Sequence, residues 1–192
     1  DKDEVQRCVD LALRFGSSFV RIVVDRPGDE PTPSELIARL TGFSPIFRSS
    51  GLRLAIENHD RFSAAVLRDI VDQAGEDWVG ICFDTANSLG CLEGPRAGLE
   101  TLLPHVVSLH LKDVVAQRES HMLGFRVVGT PVGEGSAHLN EVASLVSTAH
   151  PEVNAIVEHW LAPCETIEET LEVEADWARR SCATVRSWFV SG

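Results

Sequence analysis

Four side chains that could bind a metal ion stand at the ends of four apolar runs of the sequence. Glu57, Asp84, His110 and Glu158 each follow a stretch rich in valine, isoleucine, leucine or phenylalanine. Successive members are 27, 26 and 48 residues apart. One strand, one helix and two loops take roughly 25–30 residues, so the first two gaps fit single βα units and the third has room for an insertion. In a parallel barrel the carboxyl ends of the strands meet at one mouth. Carboxylates and imidazole are ligands for divalent cations, so the pattern predicts a metal site there.

The apolar runs that position these residues alternate with helical patterns. The predicted strands cover 19–24, 52–56, 79–83, 106–111 and 155–157. The predicted helices cover 1–15, 34–50 with a disturbed second half, 62–74, 99–103, 139–148 and 166–190, the last with a break. Residues 117–137 show no clear period and are expected to form a long structured loop. Alternating strands and helices predict an α/β protein with a parallel sheet.

The two faces of each predicted strand carry different side chains. Alternate residues of a strand point to opposite sides, so Glu57 shares a face with Ala55, and His110 shares one with Ser108. The opposite faces hold large leucine, isoleucine and phenylalanine side chains. We therefore expect the large residues to pack under helices and the small and polar ones to face a barrel interior that opens on the site.

Composition excludes several classes of function. The 192 residues include 17 basic and 29 acidic ones, which gives a net charge of −12, and no run of lysine or arginine occurs. Such a field repels nucleic acid. The five cysteines show no C-x-x-C pairing, which is typical of free thiols in the cytoplasm. No apolar stretch approaches the ~20 residues of a membrane span, so we expect a cytoplasmic protein without membrane or nucleic-acid partners.

Each of the four residues also has an ordinary structural explanation. A single strand-end carboxylate is usually a solvated loop residue or a helix cap, and a lone histidine is usually a hydrogen-bonded core residue. These explanations weaken when they must hold at four strand ends. Three carboxylates gathered beside an imidazole at one mouth repel one another, and a divalent cation relieves that repulsion.

The motifs around these residues resemble a known family. IENH (56–59), CFDTAN (82–87), HLKD (110–113), GEG (133–135) and VEHW (157–160) occur in this order and are similar to those of the xylose isomerase-like TIM barrels. The resemblance runs from about Phe19 to Trp160. It implies a (β/α)8 barrel of which about five of eight units are present, so that 1–192 is one partial domain. Three units, about 80–90 residues at the spacing of a barrel unit, are expected upstream. This agrees with the predicted helix 1–15, because a parallel α/β domain that starts with a helix is expected to have a strand before it.

The resemblance also implies roles for individual residues. The metal ligands for Mn²⁺, Mg²⁺ or Zn²⁺ are Glu57, Asp84, His110 and Glu158, and the two glutamates serve as the catalytic acid and base. The residues that match substrate-contacting positions are His59, Asn87, Lys112 and Glu134. Within 121–135, His121 and Arg126 are available to an anionic or polyhydroxy ligand, although this segment can equally be a structural crossover.

Such a site suits proton transfer next to a carbonyl through a metal-stabilised enediolate. The sequence therefore predicts a sugar, sugar-phosphate or polyol isomerase or epimerase, acting on a small molecule and open to homo-oligomerisation. A dehydratase of the inosose or dehydroshikimate type uses the same chemistry and is the main alternative. An endonuclease IV-like phosphodiesterase is disfavoured, because Asn87 stands where an extra histidine is needed and no Asp-x-His follows His110. A catalytically inactive binding domain is the last alternative.

Overall fold

The computed structural model describes residues 1–189, and its centre is a five-stranded parallel sheet. These strands are β1 (Phe19–Ile22), β2 (Arg53–Glu57), β3 (Val79–Asp84), β4 (Val106–Leu111) and β7 (Asn154–Val157). They lie side by side in the order in which they occur along the chain. The predicted α/β fold with five parallel strands in sequence order is confirmed, and the sheet is an open half-barrel whose outer strands are β1 and β7.

Helices cover the sheet and follow local sequence signals. They are α1 (Lys2–Arg14), α2 (Pro33–Thr41), α3 (Ser44–Ser50), α4 (Ala64–Ala74), α5 (Pro95–Leu102), α6 (Leu139–Ala149) and α7 (Ile167–Phe189). The predicted helix 34–50 is two helices, because α2 ends at Thr41 with Gly42 as its C-cap and the proline at 45 suits the first turn of a new helix. The break predicted in the last helix is wrong for its described part, and Val190 lies outside the described residues.

Strand register separates the hydrophobic core from the site. Leu54, Ile56, Ile81, Phe83, Leu109 and Leu111 are at most 2% exposed and belong to the core cluster packed with the helices. The alternating residues face the other side, where Asp84 of β3 lies opposite His110 of β4 and Glu57 of β2 lies opposite Cys82. The predicted division between a large apolar face and a small polar face is therefore confirmed.

The segment predicted as a loop contains a hairpin. Strands β5 (Asp113–Arg118) and β6 (Phe125–Thr130) pair antiparallel, with Val115 opposite Val128. Most of their outer residues are exposed. The hairpin was missed because neither face of its outer part is buried, so the sequence carries no apolar alternation there. No helix among residues 1–189 is long and apolar enough to cross a membrane.

Candidate metal centre and active-site cleft

The structure brings the four predicted metal ligands together at the carboxyl ends of the parallel strands. Glu57 and Asp84 end β2 and β3, His110 lies near the end of β4, and Glu158 directly follows β7. One ligand atom from each of the four lies within 4.8 Å of the others. Glu57, Asp84 and His110 are buried, and the Glu158 side chain is 43% exposed. The cluster is therefore buried at β2, β3 and β4 and open to solvent beside Glu158.

Two buried atoms of this cluster make no hydrogen bond to residues 1–189: Asp84 Oδ2 and His110 Nδ1. His110 Nδ1 lies 3.0 Å from Glu158 Oε2 and 4.0 Å from Asp84 Oδ2, yet neither contact has hydrogen-bond alignment. Buried polar atoms without such a bond are rare and costly unless an ion or a charge partner satisfies them. Hard carboxylate oxygens and an imidazole nitrogen suit a divalent cation, so Glu57, Asp84, His110 and Glu158 fit a metal site.

Lys112 connects the metal-ligand candidates to the surrounding cleft. Its Nζ lies 3.0 Å from Asp84 Oδ2, 3.1 Å from Glu158 Oε1 and 3.4 Å from Asn87 Oδ1. The ammonium also lies 5.0 Å from the centre of the Trp160 ring, within cation–π range. A lysine only 2% exposed is rare unless paired, and here two carboxylates pair with it.

Burial and Lys112 act in opposite directions on the nearby carboxyl groups. Burial raises the pKa of Asp84, although Lys112 and the amides of Ala86 and Asn87 oppose it. Burial alone would also raise the pKa of Glu158. There, however, Lys112 and His110 outweigh it and hold the pKa below its ordinary value. Glu158 is therefore ionised at neutral pH and able to accept a proton.

Glu57 is held by two side chains at the other side of the cluster. Its Oε1 accepts a hydrogen bond of 2.9 Å from Asn87 Nδ2, and its Oε2 forms an ion pair with Arg21 of β1. Arg21 pairs in register with Ala55, so both face the site. Sequence reasoning missed Arg21, although a single arginine at an inward position of FVRIVV was a usable signal.

A small network fixes the orientation of Asp84. Asn58 Oδ1 accepts from the Asp84 amide at 2.6 Å, and Asn58 Nδ2 donates to the Asp84 carbonyl at 2.8 Å. Asp84 Oδ1 accepts from the amides of Ala86 and Asn87 at 2.8 and 3.0 Å. Because these bonds engage Oδ1, the Oδ2 atom is left directed towards Lys112 and His110.

A cleft of about 440 Å³ opens over the cluster. Three of the predicted substrate-contacting residues line it: His59, Asn87 and Lys112. Arg21 and Trp160 also line it. The cleft is therefore rich in polar donors and has one large aromatic face, as a site for a polyhydroxy ligand needs.

The other two predicted substrate contacts lie outside this cleft. Arg126 is exposed on β6 and donates to Gln117 Oε1 at 3.3 Å. Glu134 forms an ion pair with Arg180 of α7. His121 lies in the turn between β5 and β6, where its Nδ1 accepts from the Leu123 amide. The structure therefore does not bring these residues together with the metal-ligand candidates.

The GEG motif serves a buried aspartate instead. Asp113 Oδ2 accepts from the amides of Gly133 and Gly135 at 2.9 and 3.0 Å. A Cβ at Gly135 would lie 2.0 Å from Asp113 Oδ1, and Gly133 has φ +94°, so both positions favour glycine. The glycines of the motif therefore anchor the segment that follows β6 to the start of β5.

A second group of similar side chains lies away from this cleft. Asp72 and Glu76 are exposed, and His105, which directly precedes β4, is buried. His105 Nε2 lies 3.3 Å from Asp72 Oδ1. Because His105 precedes β4 and His110 is near the end of the same strand, this group lies at the amino-terminal end of the strands, opposite the metal-ligand candidates.

The fold and the metal-ligand cluster agree with a protein family that the sequence matches. The family model described as xylose isomerase-like TIM barrel matches residues 1–181. The chain belongs to this family, as the ordered motifs predicted.

Proteins similar to this chain include enzymes of different kinds. The 3-oxo-isoapionate decarboxylase of Pectobacterium atrosepticum is 28% identical over 93% of this chain, and the chain spans 65% of that protein's length. A xylose isomerase-like TIM barrel protein from Mycobacterium smegmatis, solved in complex with magnesium, superposes with a TM-score of 0.69 at 14% identity, covering 98% of this chain and 67% of that one. A D-psicose 3-epimerase solved with D-fructose gives a TM-score of 0.69 at 16% identity, covering 99% and 71%. The solved structures, at these identities, support the shared fold alone.

Proposed function

We propose that this chain carries the catalytic centre of a divalent-metal-dependent isomerase or epimerase acting on a small sugar, sugar phosphate or polyol. The observation that carries the proposal is the placement of Glu57 and Glu158 on either side of Asp84 and His110. Strands β3 and β4 separate β2 from β7, so the two glutamates approach the cleft from different directions. An epimerase needs a base on each face of the substrate carbon, and this arrangement supplies two.

The four clustered side chains would hold Mn²⁺, Mg²⁺ or Zn²⁺. A bound cation of this kind polarises a carbonyl and stabilises the negative charge that develops on its oxygen. Glu158, ionised at neutral pH by its contacts with Lys112 and His110, removes the proton next to the carbonyl. Glu57, fixed by Asn87 and Arg21, takes up a proton from solvent and delivers it to the opposite face or to the adjacent carbon, and Glu158 releases the proton it removed to solvent.

Three further side chains would orient the substrate. His59, Asn87 and Lys112 line the cleft, and their polar hydrogens can bind hydroxyl oxygens. The Trp160 ring, 41% exposed beside Lys112, offers an apolar face to the C–H groups of a sugar. We also propose a cytoplasmic location for the protein, no nucleic-acid partner because of its net charge of −12, and homo-oligomerisation.

A lyase is the second candidate, and one comparison favours it. The decarboxylase from Pectobacterium atrosepticum is 28% identical over almost the whole chain, whereas the epimerase structure is 16% identical. Loss of carbon dioxide from a 3-oxo acid, like loss of water from an inosose, also develops negative charge on a carbonyl oxygen. The same cation and the same glutamate pair would therefore serve all three reactions.

Product analysis in deuterium oxide separates these candidates. The chain is incubated with Mn²⁺ and a panel of ketoses, inososes, sugar phosphates and 3-oxo sugar acids. The proposal expects deuterium next to the carbonyl in a product of unchanged carbon number, and none with Glu57→Gln or Glu158→Gln. The control is Glu172→Gln on the exposed surface of α7. Release of carbon dioxide or water in place of isomerisation would replace the proposal with the lyase, and full activity of Glu158→Gln would refute the two-base scheme.

A further inference from the structure

The charges in the cleft do not balance for a neutral substrate. Glu57, Asp84 and Glu158 carry three negative charges, and a divalent cation would supply two positive ones. Arg21 and Lys112 line the same cleft and add two more, which leaves one positive charge in excess. Asp60 also lines the cleft, but its side chain is 65% exposed, so solvent screens its charge more than that of the less exposed groups and it offsets the excess only in part.

The two cationic side chains differ in how fully they are engaged. The Lys112 ammonium lies 3.0 and 3.1 Å from carboxylate oxygens of Asp84 and Glu158 and donates a hydrogen bond to Asn87 Oδ1, so its charge is already paired within the cluster. Arg21 contacts Glu57 through one nitrogen, and its side chain is 44% exposed. A guanidinium has five donor hydrogens in a planar fork, so Arg21 retains donors for a ligand in the cleft.

We propose that the substrate is a sugar acid and that Arg21 binds its carboxylate. This inference rests on the proposed function and specifies that the sugar bound at the same site carries a carboxylate group. A guanidinium binds a carboxylate through two parallel hydrogen bonds, and one carboxylate cancels the single excess charge. A phosphate carries about −1.5 to −2 charges and would reverse the excess. The related decarboxylase is named for an oxo acid, in agreement with this choice.

Three ligands that differ only at one carbon test the inference: D-fructose, D-fructuronate and D-fructose 6-phosphate. Their terminal groups are a hydroxyl, a carboxylate and a phosphate. Calorimetric titration of the full chain in saturating Mn²⁺ gives their affinities. We expect D-fructuronate to bind at least tenfold more tightly than D-fructose, a preference that Arg21→Gln abolishes and Arg21→Lys reduces. Arg48→Gln is the control, because Arg48 pairs with Asp77 on the surface.

Several results would overturn the inference. These are equal binding of D-fructuronate and D-fructose, tightest binding of the phosphate, no binding of D-fructuronate, or an unchanged preference in Arg21→Gln. If Arg21→Gln loses Mn²⁺ through its contact with Glu57, Arg21→Lys decides: a full preference in that variant contradicts bidentate recognition by arginine. Binding requires no turnover, so this test is separate from deuterium exchange. A chain that prefers D-fructuronate but exchanges no deuterium keeps the inference and refutes the isomerase.

Discussion

Lys112→Met tests whether the clustered carboxylates need a cation to remain together. Removing Lys112 leaves Asp84, which is fully buried, with two backbone amides on Oδ1 and no ammonium near Oδ2. Breaking a buried ion pair by removing one partner costs about 3–5 kcal/mol. Because Oδ1 keeps its two amides, we expect the lower end, about 3 kcal/mol of unfolding free energy at pH 7. Urea unfolding followed by tryptophan fluorescence, in the presence of EDTA, measures the loss.

The chain offers a matched control and a rescue. Its only other lysine is Lys2, exposed on α1, and Lys2→Met should change the unfolding free energy by less than about 0.5 kcal/mol. Mn²⁺ at a hundred times its dissociation constant stabilises by about 2.7 kcal/mol, so it should return most of the loss. Equal stability of Lys112→Met and the wild type in EDTA would refute the reasoning.

The pH dependence of the same variant has a defined sign. Burial already raises the pKa of Asp84, and Lys112 opposes that rise, so Lys112→Met raises the pKa further. A carboxyl whose pKa is higher in the folded chain than in the unfolded chain binds more protons when folded, and stability then falls as pH increases. The deficit of Lys112→Met should therefore be largest at neutral pH and shrink as the pH is lowered towards the raised pKa of Asp84.

Three further variants or reagents test other parts of the structure. Burial raises the pKa of the Cys82 thiol to about 12, so iodoacetamide at pH 8 should leave Cys82 unmodified. Mass spectrometry should find the label on the exposed residues Cys8, Cys164 and Cys182. Rapid labelling of Cys82 in the folded chain would contradict its burial. Asn58→Ala removes two hydrogen bonds to Asp84 and should lower the unfolding free energy by about 2 kcal/mol, whereas no loss would show that Asp84 is positioned without it. Gly129→Ala would place a Cβ 2.3 Å from the carbonyl oxygen of Trp160, so it should destabilise the chain by about 1–3 kcal/mol. Because Trp160 lines the cleft, the variant should also bind ligand more weakly, with unchanged Mn²⁺ affinity. Unaltered stability would show that the backbone at Trp160 moves aside without cost.

The parallel sheet and the four-residue cluster could be predicted because both follow from short-range regularities. Buried strands produce continuous apolar runs, and the two-residue period decides which side of each strand faces the site. Glu57, Asp84 and His110 therefore had to share one face. Their convergence with Glu158 needed only parallel strands in chain order, which the spacing already indicated.

The contacts made by exposed segments could not be predicted in this way. Glu134 pairs with Arg180, 46 residues later, and no local pattern records such a surface ion pair. Arg126 lies on a hairpin whose outer residues are not buried, so its direction depends on strand pairing alone. Arg21 was missed for a different reason: its place in FVRIVV marked an arginine within an apolar strand, but its contact with Glu57 depends on the pairing of β1 with β2.

The central claim is that Glu57, Asp84, His110 and Glu158 bind one divalent cation. A crystal of the chain grown with Mn²⁺, with diffraction measured near the manganese absorption edge, tests it most directly. The claim predicts one strong anomalous peak within the cluster, with carboxylate oxygens and a ring nitrogen at roughly 2.0–2.4 Å. A peak on Asp72, Glu76 and His105 instead, or a cluster without manganese at saturating concentration, would contradict it.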